Sequence, residues 1–497
     1  MDTTVCKTEI KTPRFSEITT PRVLCIIIGN GGGSKLIQSY IDGHPSFYNI
    51  PAYPLIYLYP HWQDWAKELT DSWRWETILD KFCEKHASVL DSRRIPGFNG
   101  LDTLGESKDE HIAIDENVFR AHMMNLLEDQ PISRRTFILA VNYAYALCNG
   151  EDLSVKTVFL WHHHHFEHLD DFRSDFPDAT IFGSIRDARP VVFRCYDALI
   201  KVDEGKLNET DAMIYRSILF ENAIIHTFYR IDKIASYVDL DHVYLIRHED
   251  LKLRLKELME KICSMFDVPF QESMLDTTFG GKAWWGHAIY NMPQVRGTYK
   301  RVLSKDWQKA LSKIEIFVYE GIYLDFYKKY GYRLLYYKKD HFWNLLLLRL
   351  AILSFDKIEQ KDLWFYLNPK NHIRFLKAAA REAYGKIELK DYTWNATYLY
   401  KWTYVKLKLW KRKWLQEILE YAHQMTKKDN RNVFQNSIIF LCRMIYIILK
   451  YLRFWRTIIM LPVQFLRRTY LFYKILSMRL NRDIRFPRLF NEEFDLI

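Results

Sequence analysis

The sequence predicts an α/β fold, a parallel sheet flanked by helices, followed by a mainly α-helical, basic C-terminal region. Two observations support the sheet. Short apolar runs alternate with stretches of helical spacing up to residue 336, and a glycine-rich turn follows the first run. A third observation marks the boundary, because aromatic and basic residues dominate after that point. We therefore expect a polar segment (1–22), an α/β domain (23–336) with a helical insertion at about 60–130, and a basic region (337–497).

Composition sets limits on compartment and partner. Of the 497 residues, 48% are hydrophobic, which excludes general disorder. The net charge of +10 suggests an anionic partner. The seven cysteines form no C-x-x-C pair and are typical of free thiols in a reducing compartment. Together these features predict a cytoplasmic protein. Peripheral binding to the inner face of a membrane is a further expectation.

The first element is a strand that leads into a cradle for an anion. Leu24–Ile28 is a short apolar run typical of a buried parallel strand. Gly29 and Gly31–Gly33 follow, so backbone N–H groups can converge on one point. Helical spacing begins at Ser34. A strand, a glycine turn and a helix N-terminus together favour a phosphate or sulfate group, as in a P-loop.

This turn differs from the Walker A motif at a position that matters chemically. Gly29–Leu36 reads G-x-x-x-x-S-K-L, and Leu36 replaces the hydroxyl residue that would hold Mg²⁺. The cradle and a lysine remain, which suits transfer of an anionic group without a metal. An ordinary glycine-rich turn between strand and helix is the alternative interpretation.

Further strands and helices alternate along the α/β domain. The predicted strands are Val155–Trp161, Ile181–Ile185 and Val243–Ile246, and the predicted helices are Ile132–Leu147, Asp211–Tyr237 and Leu253–Phe266. In the insertion, the spacing of Trp65, Trp73 and Trp75 is typical of a helix. These tryptophans either line one side of the acceptor site or belong to the core.

Polar residues follow two of these strands, where ligands bind in open α/β sheets. His162–His165 come directly after the second strand and suit general-base chemistry near neutral pH. Arg186 follows the third strand and indicates a second anion site. Adjacent histidines cannot all face one metal and no H-E-x-x-H pattern is present, so no metal site is predicted.

Six segments stand in the order found in a known family. Along the chain they read IIIGNGGGSKLIQSYIDGHP, HFEHLDDFRSDFPDATIFGSIRDARPVVF, YLIRHEDL, FGGKAWWG, VRGTYKRVLS and KKYGYRL. Over residues 20–336 this set resembles the sulfotransferases that use 3′-phosphoadenosine-5′-phosphosulfate. The resemblance implies a P-loop-type sheet and transfer of a sulfuryl group, without a metal, to a hydroxyl of a glycan, lipid or small molecule.

The resemblance also implies residue roles. The implied donor-binding residues are Gly31, Gly32, Gly33, Ser34, Lys35, Arg186, Arg194, His248, Arg296 and Gly297. The loop would hold the 5′-phosphosulfate, the arginines the 3′-phosphate, and His248 the adenine. Lys35 would also be catalytic as a cation beside the leaving group. Among the four histidines, one of which would take the acceptor's proton, His164 and His165 would lie nearest the acceptor.

The chain departs from the family pattern at the cradle. Gly31 and Gly32 stand where the family has a basic residue and a serine, and Arg194 replaces a serine that binds the 3′-phosphate. These departures keep a second interpretation open: a catalytically inactive relative that binds the nucleotide or acts as a membrane-associated interaction protein. A nucleotide-dependent kinase is a third, which Leu36 argues against.

The basic region has no uncharged apolar run of the roughly 20 residues that a membrane-spanning helix needs. Asn430–Arg482 contains no Asp or Glu and alternates apolar blocks with Arg and Lys. This pattern favours helices lying on an anionic membrane surface, through residues 398–480. A helical bundle packed on the α/β domain is the next alternative, and a nucleic-acid surface is the least favoured.

Overall fold

A computed structural model gives the fold. The residues it describes are 12–27, 33–51, 55, 57–94, 99–163, 168–191, 242–286, 306–352, 364–365, 367–384, 433, 435–437, 439–441, 443–445, 447–448, 451–452, 454–455, 466, 469–470, 473, 477 and 488–491. The predicted helix at Asp211–Tyr237 and most of the 398–480 segment lie outside the described residues.

The centre of the fold is a six-stranded sheet in which every pairing is parallel. Its strands are β1 (Arg22–Ile27), β2 (Phe47–Tyr48), β3 (Val158–His163), β4 (Thr180–Ile185), β5 (Val243–Arg247) and β8 (Arg488–Leu489), in the spatial order β2-β3-β1-β4-β5-β8. A separate antiparallel hairpin pairs β6 (Thr278–Phe279) with β7 (Lys282–Ala283). The predicted parallel sheet flanked by helices is confirmed.

Helices cover both faces of the sheet. Up to residue 265 the described helices are α1 (Ser34–Ile41), α2 (Leu58–Glu68), α3 (Trp75–Lys85), α4 (Glu116–Leu127), α5 (Arg134–Cys148), α6 (Leu169–Asp175), α7 (Asp250–Leu253) and α8 (Leu255–Met265). Beyond it are α9 (Asp306–Ala310), α10 (Lys313–Ile322), α11 (Leu324–Lys329), α12 (Phe342–Ile352) and α13 (Pro369–Tyr384). The described 3₁₀ turns are Phe15–Glu17, Thr70–Ser72, Ala87–Val89, Ser92–Arg94, Leu153–Val155 and Glu272–Leu275.

Alternation along the strands divides the core into two layers. Ile26, Leu160 and Phe182 point to the face covered by α1 and α8. Ile27 and Trp161 point to the opposite face, where the insertion and α5 pack. Side chains on both faces are buried, so the strands read as continuous apolar runs in the sequence.

Several predicted boundaries are wrong. The second predicted strand begins at Val158 and continues through His162 and His163, which the sequence analysis placed after it. The strand continues because β1 pairs with these two histidines at Ile26 and Ile27. The helix predicted at Leu253–Phe266 is present as α8 but begins at Leu255, because Arg254 has non-helical backbone angles and Leu253 ends the preceding helix α7.

The far end of the chain contributes the edge strand β8. Leu489 pairs with Leu245 of β5, and Phe490 packs its ring against Phe182 with the centroids 4.7 Å apart. No apolar run around these residues predicted a strand, and β2 was also missed because it has two residues only.

Candidate functional site

The site lies at the carboxyl edge of the sheet. Strands β1, β3, β4 and β5 all end there, because parallel strands share one direction. This edge brings the start of α1 together with the strand-end histidines, Arg186 and His248. Residues far apart in the sequence therefore surround one region.

The described part of the predicted anion cradle is Gly33 and the start of α1. Gly33 is the N-cap of the helix and has a left-handed backbone, with φ of 89°. A Cβ at this position would lie 2.5 Å from Nδ1 of His248, so only glycine fits here. Ser34 begins the helix, whose first N–H groups and dipole favour an anion.

Lys35 is buried behind the start of α1. Its Nζ donates a hydrogen bond to Oδ1 of Asn99 at 2.5 Å and lies 5.8 Å from the ring centroid of Trp284. The residue is 5% exposed, and burial lowers its pKa well below the usual value for lysine. The neutral amine is therefore favoured more strongly here than in water.

Trp284 and Trp285 connect the β6–β7 hairpin region to the insertion. The indole of Trp284 donates to the carbonyl of Asn99 at 3.0 Å, and that of Trp285 donates to the carbonyl of Gly105 at 2.7 Å. The residues beside Lys35, Asn99 and Trp284, thus come from two distant segments of the sequence. Trp65 and Trp75 are buried in the core, which confirms the core interpretation for these two tryptophans.

The hydrogen bonds of Gln38 fix the tautomer of His162. The amide nitrogen of Gln38 donates to the carbonyl of Ile50 at 2.8 Å and to Oδ1 of Asn49 at 2.9 Å. A carbonyl can only accept, so the Gln38 oxygen faces His162, whose Nδ1 lies 2.9 Å away. In its neutral form His162 therefore carries its proton on Nδ1 and its lone pair on Nε2.

The series of hydrogen bonds from His162 and Gln38 continues to the β6–β7 hairpin. Asn49 donates to Oδ1 of Asp42 at 2.8 Å, and the other carboxylate oxygen of Asp42 accepts from Thr278 and from the backbone of Gly281. Burial raises the pKa of Asp42, and these donors offset part of that rise. These hydrogen bonds connect Gln38 to the β6–β7 hairpin.

His163 has the opposite tautomer. It points to the other face of the sheet, where the indole of Trp161 donates to its Nδ1 at 3.1 Å. An indole N–H only donates, so the lone pair of His163 is on Nδ1 and is used by Trp161. Of the two histidines in the 162–165 cluster that the structure describes, His162 is therefore the one with its lone pair on Nε2.

The two arginines after β4 have different environments. Arg186 is partly exposed at the edge of the sheet, beside Glu249. Burial raises the pKa of Glu249, and the charge of Arg186 partly opposes that rise. Arg189 is 3% exposed and is neutralised by Asp187, at 2.8 Å, and by Glu320. Arg186 is thus partly exposed at the edge of the sheet, whereas Arg189 is buried between two carboxylates.

The structure describes only some of the predicted site residues. The edge gathers Gly33, Ser34, Lys35, Arg186 and His248. The predicted site residues outside the described ranges are Gly31, Gly32, His164, His165, Arg194, Arg296 and Gly297. In the described ranges, no group of three or more His, Cys, Asp or Glu side chains could hold a metal ion.

Gln38 and Asn99 are site residues that were not predicted from the sequence. Gln38 is 1% exposed and lies on the same turn of α1 as the apolar residues Ile37 and Ile41. A polar side chain within that apolar face is a signal that could have drawn attention to it. Asn99 carries no such signal, since its loop follows no periodic pattern.

Comparison with known proteins agrees with this geometry. An α/β sheet with an anion cradle at its carboxyl edge defines a class of proteins that bind phosphorylated or sulfated donors. Residues 32–272 match the model of the sulfotransferase family, a span that covers α1 and the strands from β2 to β5. This part of the chain is therefore a sulfotransferase-family domain, and a transferase. A search of the curated proteins finds no match.

Proposed function

We propose that this protein transfers a sulfuryl group from 3′-phosphoadenosine-5′-phosphosulfate to a hydroxyl of a glycan, lipid or small molecule. The family match and the cradle at Gly33 support this proposal. The observation that carries it is the gathering of the cradle, Arg186 and His248 at one edge of the sheet. Leu36 in place of a Mg²⁺ ligand supports a reaction without a metal.

The donor would bind across this edge. Ser34 and the first N–H groups of α1 would hold the 5′-phosphosulfate, together with Gly31 and Gly32. Arg186 would bind the 3′-phosphate, with Arg194, Arg296 and Gly297 completing the donor site as the family resemblance implies. The ring of His248 lies against Gly33, which supports a position for the adenine beside the cradle.

The reaction would be an in-line displacement at sulfur. The acceptor oxygen forms the new S–O bond while its proton moves to a histidine. The bond from sulfur to the phosphate oxygen breaks, and the electron pair leaves with adenosine 3′,5′-bisphosphate. Among the four clustered histidines, His162 is supported as the base by the lone pair on its Nε2. His164 and His165 remain candidates from the sequence.

Lys35 would stabilise the leaving group. Its amine lies in a buried position one residue into the first turn of α1. An anion arriving at the cradle favours the protonated form of a neighbouring amine, opposing the effect of burial on its pKa. Preorganised donors of this kind are worth about 3–4 kcal/mol of transition-state stabilisation.

We also propose a cytoplasmic location near a membrane surface. The described cysteines, Cys25, Cys83, Cys148 and Cys263, are all free thiols, which supports a reducing compartment. In the part of the chain that the structure describes, no helix has the length and apolar character needed to cross a bilayer. The basic segment 398–480 supports an anionic membrane as partner and a membrane-proximal acceptor.

Calorimetric titration of adenosine 3′,5′-bisphosphate, in the presence of a chelator, tests the donor site. We expect binding without metal, weakened by about ten- to a hundredfold in Arg186→Ala, because a charge-assisted hydrogen bond is lost. Arg74→Ala is the control, since Arg74 is an exposed arginine of the insertion and its pairing with Glu76 is loose, at 3.9 Å.

Each possible result separates the competing functions. Binding with no turnover of the labelled donor against any acceptor would favour an inactive nucleotide-binding relative. Binding only of ATP with Mg²⁺ would favour a kinase. No binding of the bisphosphate at all would overturn the proposal and leave an interaction protein.

A further inference from the structure

Helix α12 is apolar on two faces. On one face Leu348 is fully buried and Leu345 is partly buried, both within the core formed with α10 and α11. A Cβ at Gly321 of α10 would lie 2.8 Å from Leu348, so the two helices approach closely here. This contact holds α12 firmly against the α/β domain and fixes the direction of its other face.

The other face carries five large apolar side chains in solvent. They are Phe342, Trp343, Leu346, Leu347 and Leu350, with exposed fractions of 70%, 69%, 39%, 52% and 58%. At 100° per residue these positions form one continuous stripe along the helix, which we call the outer face of α12. Contiguous apolar surface of this kind is rare on soluble proteins and marks an interaction site.

Basic residues border the outer face. Lys338 and Lys339 precede the helix and are exposed, and Arg349 is exposed beside the apolar stripe. The helix itself contains no acidic residue. Asp340 is the one acid near its start, and it accepts a hydrogen bond from the Tyr337 hydroxyl at 2.6 Å. The charge around the stripe is therefore mainly positive.

A second helix repeats the basic character. On α13, Lys370, Arg374, Lys377 and Arg381 recur at helical spacing around Ile373 and line a shallow cationic surface. Its other face is buried at Phe375 and Ala379. Both described helices of this region thus combine a packed face with an exposed one that suits a negatively charged partner.

We propose that the outer face of α12 lies in the headgroup region of an anionic lipid bilayer. The described part of the helix has 11 residues, a length that suits a helix lying along a bilayer surface. An aromatic pair at one end, aliphatic side chains along the stripe and flanking lysines match the composition of interfacial helices. The exposed basic residues Lys338, Lys339 and Arg349 border this apolar stripe, and their charge favours an anionic lipid surface as its partner.

Sedimentation of the full chain with lipid vesicles tests this proposal. We expect binding to vesicles of phosphatidylcholine with phosphatidylserine, and much weaker binding to phosphatidylcholine alone. The double substitution Phe342→Gln with Leu346→Gln should weaken binding to the anionic vesicles at least tenfold. Ile314→Gln is the matched control, because Ile314 is also 61% exposed but lies on α10 outside the stripe.

Three outcomes would overturn the proposal. They are equal binding of the double variant and wild type, equal binding to neutral and anionic vesicles, and no vesicle binding with a melting temperature lowered by the double substitution. The last outcome would mean that another segment of this chain or a protein covers the stripe. The vesicle assay is independent of donor binding, so its result separates this surface from sulfuryl transfer.

Discussion

Substitution of Gln38 tests whether the hydrogen-bonded chain sets the chemistry of His162. Gln38→Met keeps the length of the side chain and removes all three of its hydrogen bonds, to His162, Asn49 and Ile50. Without an acceptor at Nδ1, the proton of the neutral imidazole can move to Nε2. The fraction of His162 ready to accept a proton at Nε2 then falls.

The size of the effect follows from one neutral hydrogen bond. Such a bond is worth about 0.5–1.5 kcal/mol, so we expect kcat to fall about two- to tenfold. His162→Ala sets the upper limit, since a general base contributes about 10²- to 10⁴-fold. Gln38→Met also leaves the carbonyl of Ile50 without this donor, which costs about 1–3 kcal/mol of folding free energy.

Asn49→Ala is the control that separates catalysis from stability. It removes one partner of Gln38, but the bond to the Ile50 carbonyl at 2.8 Å still orients the amide. We therefore expect Asn49→Ala to lower the melting temperature while kcat changes less than about twofold. Equal losses of kcat in Gln38→Met and Asn49→Ala would refute the role of Gln38.

Two further measurements would be unaffected if Gln38 only stabilised the fold, so they test its effect on His162 directly. In Gln38→Glu a carboxylate faces Nδ1 and stabilises the imidazolium, so the acidic limb of the kcat profile should move to higher pH. The ¹⁵N spectrum of labelled histidine, assigned with His162→Ala, should show the Nδ1–H tautomer in wild type and lose it in Gln38→Met. The role of Gln38 would be contradicted if the acidic limb of the kcat profile stayed at the same pH in Gln38→Glu. It would also be contradicted if His162 carried its proton on Nε2 in the wild type.

Two other substitutions test Lys35 and the buried ion pair between Arg189 and Glu320. Lys35→Ala should lower turnover more than donor binding, and equal modest losses in both would contradict a leaving-group role. Burial lowers the pKa of Lys35 in the folded state, so at high pH the unfolded state binds one more proton than the folded state. The free energy of unfolding of the wild type, measured in urea, should therefore rise relative to that of Lys35→Ala as the pH increases towards 10.5. Glu320→Gln should cost about 3 kcal/mol in urea unfolding because it breaks a buried pair with Arg189, whereas Glu272→Gln at an exposed pair should cost under about 1 kcal/mol.

Parts of the site were readable from the sequence because they depend on local order. Gly33 is needed at the turn itself, where a left-handed backbone meets a helix start. Arg186 follows an apolar run that could be recognised as a strand, and the carboxyl end of a parallel strand has a known place in the sheet. Each of these inferences needed only a few neighbouring residues.

The partners of these residues depend on contacts between distant segments. Asn99 lies 64 positions from Lys35, and His162 lies 124 positions from Gln38. No local pattern encodes such pairs, so the sequence analysis placed all four histidines after the strand and had no means of separating His162 from His163. The sheet separates them, because successive residues of a strand point to opposite faces.

By itself, the sequence determined the α/β class and the order of segments typical of sulfotransferases, and it predicted a cradle at the end of the first strand. Periodicity and turn chemistry act over a few residues and can be read directly. Only the tertiary structure decided that Lys35 is buried beside Asn99, that Arg189 is neutralised by Glu320, and that α12 leaves an apolar face in solvent. Burial and charge pairing are properties of the packed chain, since each depends on which distant residue arrives at the same place.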